Sequence, residues 1–517
     1  MPLVGPKLAA PVPIPHLLQA GLAHAPDDLA LVSTTARLSW RALETASDNL
    51  AFHYLDRGLA PGDRVASLMP NRAALIIHYL GCLKAGLVSV PLNYRYTVPE
   101  IDRALSVSQA SMLLVHSERA PDLDESRQAQ ALPRGVIYAD AADSDGPGLQ
   151  TLIATTSRTK EFPDIAATDP AFIYFTSGST GPAKGVTHSR EGFGWMLANY
   201  AATLALTPRD VMLPASSMSH ISGSCFTLAA LSVGARAVVA HSFDSQHVLP
   251  LLRAQKPTVL WMQPALLSQL LEDPDASPTD FGTLRHFRSG GDRVSAVLAR
   301  KFTDLTGLPI SEGLGMTEAG IVTCQPPSGP IKPGTIGQAA PGVRISIRDD
   351  DDRELPVGVE GRMLVSARGL TIGYWNDPAA TSSVIRDGWL DSGDVVKADD
   401  AGYITFCSRR KHLIVRDGSN ISPLEVEEAL LQHPSVAMVG VVGIPDAVHG
   451  ENVCAYVALK PGASSLTAQE LIAFARARVG YKAPERIEFL AELPLNYGKV
   501  DRTSLKKLAA GDTPPPL

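Results

Sequence analysis

Tyr174-Phe175-Thr176-Ser177-Gly178-Ser179-Thr180-Gly181-Pro182-Ala183-Lys184-Gly185 follows an apolar stretch, Ala171 to Phe175, that reads as a strand. Hydroxyls, glycines and a lysine in this order suit a loop that holds phosphate. Glycine lets the backbone fold so that successive N–H groups face an anion, the hydroxyls add donors, and the lysine supplies a point charge. The spacing is not that of a Walker A loop, in which Gly-Lys-Ser/Thr closes the turn. Here Ala183 precedes the lysine and Gly185 follows it. The competing reading is a Ser/Gly surface turn, and the rest of the chain decides between the two.

Outward from this stretch, strand and helix signals alternate. Val65 to Leu68 reads as a short buried strand, and Arg72 to Ala85 as a helix stopped by Gly86. Thr258 to Met262 and Val343 to Ile347 read as further strands. Such alternation predicts an α/β architecture. The polar segment from Glu118 to Asp164 reads as variable loop, and the Pro-rich tail Thr513 to Leu517 as disordered. A second unit begins near Arg409, dividing the chain into residues 1–408 and 409–517. In it, Ser422-Pro423-Leu424-Glu425 and Thr467-Ala468-Gln469-Glu470 carry capping-box patterns. Val436 to Val442 reads as a strand between them, so a compact α+β unit is expected.

Composition narrows the class. A chain of 517 residues is too long for one ordinary core. Its 45% hydrophobic and 19% charged residues are ordinary for a soluble globular protein. A net charge of −7 offers no basic face to nucleic acid or anionic lipid. The five cysteines, Cys82, Cys225, Cys324, Cys407 and Cys454, are scattered without metal-ligand spacing, which fits reduced thiols in the cytoplasm. Met1 to His16 lacks the pattern of a signal peptide. The most apolar stretch, Cys225 to Ala240, is interrupted by Gly234 and Arg236 and is too short for a membrane span.

The phosphate-loop stretch resembles that of the adenylate-forming superfamily, which includes acyl- and aryl-CoA synthetases, peptide-synthetase adenylation domains and beetle luciferases. The likeness recurs in family order at Leu83 to Asn93, Gly315-Met316-Thr317-Glu318, Asp387 to Asp394, Ser408 to Lys411, Gly418 to Glu427, and Asn496-Tyr497-Gly498-Lys499-Val500-Asp501-Arg502. It therefore covers almost the whole chain. The resemblance implies a large N-terminal α/β domain of several subdomains and a small, mobile α+β C-terminal domain hinged at Lys411. It also implies a two-step reaction. A carboxylate attacks the α-phosphate of ATP to form an acyl-adenylate and release pyrophosphate, and a thiol then attacks the activated carbonyl.

Residue by residue, the resemblance assigns Thr176, Ser177, Gly178, Ser179, Thr180, Gly181 and Lys184 to the β- and γ-phosphates. Thr317 falls to the α-phosphate, Glu318 to Mg²⁺, and Asp394 and Arg409 to the ribose. Gly291, Asp292, Gly313, Leu314, Gly315 and Met316 complete the ATP set. Lys499 would neutralise the attacking carboxylate and the α-phosphate bridging region during adenylation. Two positions depart from the family pattern. Leu314 stands where an aromatic commonly stacks on adenine, and Ser408 replaces the glycine before the ribose arginine.

For the acid, the family match points to His220, with Ile221, Ser222, Phe226, Gly290, Gly291 and Gly313 as the pocket wall. Amino-acid-activating relatives carry aspartate at the position of Ile221 and hydroxybenzoate-activating ones asparagine. An unpaired buried ammonium beside isoleucine would be costly, so the expected substrate is an apolar aryl or medium-chain aliphatic acid. Gly418, Ser419 and Asn420 resemble the loop that meets pantetheine in CoA ligases. Coenzyme A is thus the expected acceptor, and loading of a carrier protein is the alternative. No nucleic-acid partner or membrane segment is expected, and the chain would act as a monomer or homodimer.

Overall fold

The computed structural model describes residues 1–140, 148–156, 161–176, 183–327, 329–416, 419–446, 448–463, 466–496 and 499–510. The chain forms two compact units. One comprises Pro2–Ile345 with Val365–Leu390, the other Met1, Ser346–Leu364 and Asp391–Leu517. The larger N-terminal part is mixed α/β, and the C-terminal part is smaller.

The larger unit contains two seven-stranded sheets. In the first, the order is Gly373–Tyr374, Lys184–Ser189, Pro170–Thr176, Val88–Pro91, Arg64–Leu68, Met112–Val115, Val136–Tyr138. The last five run parallel and the first two pairings are antiparallel. The helix Ala73–Ala85 is almost wholly buried and ends at Gly86, whose φ of 74° is the left-handed C-cap that favours glycine. Its one buried cation, Lys84, is neutralised by Glu44 at 2.7 Å and Asp48 at 2.6 Å.

The second sheet orders Ile310–Glu312, His286–Ser289, Val259–Met262, Val211–Ala215, Arg236–Val239, Leu29–Ser33 and Arg37–Ser39. All but the last pair are parallel. The segment from Glu118 to Asp164 corrects the loop reading. Val136–Tyr138 is an edge strand of the first sheet with Ile137 buried, and Ala120–Glu125, Arg127–Gln130 and Leu149–Ala154 are short helices. Three apolar residues among polar ones are too few for a periodic signal, and their burial comes from pairing with Met112–Val115.

In the smaller unit, the sheet order is Ser419–Ile421, Ile414–Arg416, Gly450–Leu459, Val436–Asp446, and Arg486–Phe489 pairs parallel with Gly450–Leu459. Helices Pro423–Leu431 and Ala468–Val479 contribute Val426, Leu430, Leu471 and Ala475 to a core with Val439, Val441, Val453 and Ala455. The Thr467–Glu470 capping box forms. The one expected at Ser422 does not form: the Ser422 hydroxyl is turned to donate to the Cys407 carbonyl at 2.6 Å, and Glu425 takes the Lys482 ammonium at 2.7 Å instead of the Ser422 N–H.

Candidate active site

Strands Val211–Ala215, Val259–Met262, His286–Ser289 and Ile310–Glu312 are parallel, so their carboxyl ends lie at one edge of the second sheet. That edge is where α/β sheets bind ligands. The residues following these ends are Ser216 to His220, Gln263, Gly290-Gly291-Asp292 and Gly313-Leu314, so most of the expected acid-side positions gather there. His220 is the N-cap of helix Ile221–Ser232. Residue 223 must be small for this helix to start so close to its own lead-in loop. A Cβ at Gly223 would lie 2.2 Å from the Ser217 carbonyl oxygen. Ile221 and Phe226 are buried, and Phe226 packs on Tyr200 at 4.8 Å and Trp261 at 5.4 Å between ring centroids. Ser222 and Ser216 hydroxyls are 3.5 Å apart. Asp292 is exposed and accepts from the Arg293 N–H at 2.8 Å. Burial pushes the Glu312 carboxyl up to about 7, even though it accepts from the Val294 N–H.

Thr176 and Lys184 stand opposite each other in the antiparallel pair Pro170–Thr176 and Lys184–Ser189. Ser177, Gly178, Ser179, Thr180 and Gly181 lie outside the described residues. Gly315–Met316 pairs antiparallel with Gly320–Ile321, which puts Thr317 and Glu318 on the turn of a tight hairpin. Three segments distant in sequence meet here. The Lys184 ammonium lies 4.9 Å from the Tyr374 ring centroid, and the Tyr374 hydroxyl donates to Glu318 Oε1 at 3.0 Å. Burial, and then the Glu318 charge, push the Tyr374 phenol above its ordinary range, so it remains a donor. His188 holds the other side of the turn, with Nε2 2.8 Å from the Thr317 carbonyl oxygen. Burial lowers His188 to about 4, which keeps the ring neutral at neutral pH, with Nε2–H as the donor to that carbonyl. The Leu314 N–H donates to Thr323 Oγ1 at 2.9 Å.

In the smaller unit, Asp394 and Arg409 face each other across the antiparallel strands Trp389–Ala398 and Ile404–Arg409. The Asp394 carboxyl is fully buried, and Arg409 Nε lies 2.7 Å from its Oδ1. This contact is an ion pair outside hydrogen-bond geometry, and neither carboxyl oxygen has a hydrogen-bond partner among the described residues. The nearby Ser392 hydroxyl spends its hydrogen on the Met363 carbonyl at 2.8 Å. Burial outweighs the Arg409 charge and raises Asp394 to about 6. Ser408 is buried and its hydroxyl donates to the Arg409 carbonyl. Lys411 lies in the 3₁₀ turn Arg410–His412, and burial followed by the Arg409 charge lowers its pKa. Ser419 and Asn420 sit on strand Ser419–Ile421, while Gly418 and the Asn420 side chain lie outside the described residues. Lys499 is exposed on strand Lys499–Val500.

Tyr374 and His188 were not among the residues singled out by the sequence. Tyr374 sits in Gly373-Tyr374-Trp375-Asn376-Asp377-Pro378, where Asp-Pro announces a helix start but nothing marks a partner 56 residues upstream. His188 follows the phosphate-loop stretch directly, and its only signal is the turn it supports.

Residues 18–375 match the family model described as AMP-binding enzyme, and residues 425–497 match that of the AMP-binding enzyme C-terminal domain. The chain is 33% identical over 468 residues to a feruloyl-CoA synthase of an Amycolatopsis species, covering 89% of this chain and 90% of the relative. It is 34% identical over 504 residues to the medium-chain fatty-acid–CoA ligase of Escherichia coli, covering 93% and 88%. Among solved structures, ATP-bound MatB from Rhodopseudomonas palustris superposes with a TM-score of 0.89 at 28% identity, covering 96% of this chain and 99% of that one.

Proposed function

The chain belongs to the AMP-binding enzyme family, and from that premise we propose that it is an AMP-forming acid:CoA ligase for an aryl or medium-chain aliphatic carboxylic acid with an apolar body. In the first step a carboxylate oxygen bonds to the α-phosphorus of ATP, the bond to the β-phosphate bridge breaks, and pyrophosphate leaves. In the second, the CoA sulfur bonds to the acyl carbon, its proton is lost, and AMP leaves. Both reactants of the first step are anions, so the protein must supply cations and donors where negative charge builds up.

The observation that carries the nucleotide reading is the Asp394 carboxyl. A buried carboxylate with no hydrogen-bond donor costs free energy, and the two hydroxyls of a ribose are donors that would relieve it, with Arg409 alongside. We assign the phosphates to Lys184 and Thr317, with the loop Thr176 to Gly181, and the transition-state charge to Lys499. Glu318 fits Mg²⁺, because one half-buried carboxylate oriented by Tyr374 matches an ion that takes one or two protein carboxylates and fills its shell with water and phosphate oxygens. When bound there, Mg²⁺ would offset phosphate charge. His220, Ile221, Ser222, Phe226, Gly290, Gly291 and Gly313 are assigned to the acid, and Gly418, Ser419 and Asn420 to CoA. The boundary at residues 408 and 409, the hinge at Lys411, a cytoplasmic setting and a monomer or homodimer belong to the same proposal.

The deciding experiment is pyrophosphate release over aliphatic, benzoic, cinnamic and phenylacetic acids, with CoA, with a carrier protein, or with neither. Acids with an apolar body should turn over far better than amino acids, with CoA as acceptor. Robust activity on a zwitterionic amino acid would sink the acid assignment, and preference for the carrier protein would move the acceptor.

Two consequences follow for the site. Removing the Tyr374 hydroxyl takes a hydrogen bond from a charged carboxylate, worth about 1.5–3 kcal/mol. Tyr374→Phe should therefore raise the Mg²⁺ concentration needed for half-maximal adenylation by roughly tenfold. An unchanged Mg²⁺ requirement would remove Tyr374 from the site. For Asp394 the sign runs with the carboxylate. Raised to about 6 in the folded protein, it holds its proton below that pH, where it cannot accept from both ribose hydroxyls. ATP affinity measured by calorimetry should be flat above about pH 7 and weaken by up to about tenfold per unit below about pH 6. Asp394→Asn should bind weakly at every pH. The same shift costs the empty protein stability as pH rises from about 4 to about 6.

A further inference from the structure

Arg288 is an arginine almost wholly removed from solvent. It occupies the third position of strand His286–Ser289, one residue before the carboxyl end. In the parallel register it pairs with Trp261 on one side and Ser311 on the other. Paired positions in a sheet project to the same face, so Arg288 shares its face with Trp261, the ring on which Phe226 packs. The guanidinium also abuts Gly313, where a Cβ would come within 2.3 Å of Nη2. The guanidinium thus borders the wall assigned to the acid at Gly313, and its strand position lies on the same face as Trp261, the ring that carries Phe226.

Its bonding is incomplete. Nη2 donates to the Thr323 carbonyl at 3.1 Å, whereas Nη1 is buried with no hydrogen-bond partner among the described residues. No carboxylate pairs with it among the described residues, and its ionisable neighbours are Cys324, Tyr200 and His286. Arg190 and Arg236 of the same unit also keep a buried nitrogen without a hydrogen-bond partner among the described residues while donating to one backbone carbonyl, but Arg288 differs in abutting Gly313 of the wall assigned to the acid. A buried cation without a counter-ion is expensive. A purely structural arginine tying down one carbonyl would leave that cost unmet, and an apolar residue would cost less. A donor kept vacant at a substrate wall is accounted for by the substrate filling it.

Resting on the acid:CoA ligase reading, we propose that Arg288 reads a second oxygen of the substrate, so that the acid this enzyme activates carries, besides its reacting carboxylate, an oxygen acceptor on its otherwise apolar body, to which Nη1 donates. An aryl hydroxyl or methoxy group and a terminal carboxylate share that chemistry, and matched pairs of acids tell them apart. A hydrogen bond to a charged group is worth about one to two orders of magnitude in selection, and an analogue that leaves the donor unpaired is penalised accordingly.

The test compares kcat/KM for phenylpropanoic acid with its 4-hydroxy and 4-methoxy derivatives, and for octanoic acid with octanedioic acid. It uses the wild-type enzyme and Arg288→Met and Arg288→Lys variants. The oxygen-bearing member of at least one pair should lead by roughly 10–100-fold in the wild type. Arg288→Met should abolish or invert that ratio while leaving KM for ATP and CoA in place, and Arg288→Lys should retain part of it. The aryl pair or the aliphatic pair that responds identifies a neutral or an anionic oxygen. A wild type that never favours the oxygenated partner overturns the inference, whether or not the variants fold. So does an Arg288→Met variant that loses activity equally on both members of each pair, since the arginine would then serve the fold or the reacting carboxylate. Turnover of the apolar parents without such a preference leaves the ligase reading standing, whereas absence of acid-dependent pyrophosphate release on every acid removes that reading itself.

Discussion

Lys499→Ala is expected to slow acyl-adenylate formation by ~10²–10³-fold, a loss of roughly 3–4 kcal/mol in transition-state stabilisation. The size follows from the chemistry: carboxylate and α-phosphate must approach while both are anionic, and one cation opposite the pair lowers that repulsion only as they meet. The fold should not notice the change. Lys499 is exposed, and its short hairpin with Leu495–Asn496 is followed by Arg502, whose guanidinium donates to both oxygens of buried Glu427 at 2.6 and 2.7 Å. Glu427 in turn accepts from the Val441 N–H at 2.8 Å. Thioester formation from supplied acyl-adenylate should survive far better than adenylation. Separate rapid-quench assays of the two half-reactions give the answer, and equal loss in both would contradict the assigned role.

The second large effect is expected from Lys411→Pro. Lys411 is the middle residue of the 3₁₀ turn Arg410–His412. Proline there fixes φ near −65° and disfavours helical backbone at Arg410, so it restricts the turn that the proposed pivot needs while leaving Asp394, Arg409 and Glu318 as they are. On the proposed assignment, Lys499 reaches the α-phosphate in the first step and pantetheine reaches the acyl carbonyl in the second. A chain unable to turn at Lys411 should complete one step only. Acyl-adenylate should form at near wild-type rate, seen as a single-turnover burst of pyrophosphate, and the CoA thioester should fall by orders of magnitude. If both half-reactions proceed normally in this variant, the pivot is elsewhere.

Much of this was legible because it is local. Arg72 to Ala85 with Gly86 behind it needed only helical periodicity and a residue content with positive φ, and the buried strand at Val259–Met262 announced itself by composition. The site was legible in pieces, since Gly-Met-Thr-Glu and the phosphate-loop stretch are contiguous. What could not be read were choices between partners. Ser422-Pro-Leu-Glu has the letters of a capping box, yet its hydroxyl turns instead toward the Cys407 carbonyl. Tyr374 pairs with a carboxylate far upstream that no local pattern indicates. The vacancy at Arg288 exists only once Thr323 has taken one of its nitrogens and nothing has taken the other.

The Ser422 hydroxyl has one more effect. It joins Cys407 to Ser422 at 2.6 Å, and Lys411 lies between those two residues in the chain. If the backbone swivels at Lys411, this clasp must open, so the arrangement described here is favoured by about the worth of one hydrogen bond, ~1 kcal/mol. On the proposed pivot, a serine whose letters suggest a helix start would act as a light brake, and alanine in its place would shift the balance by about a factor of five.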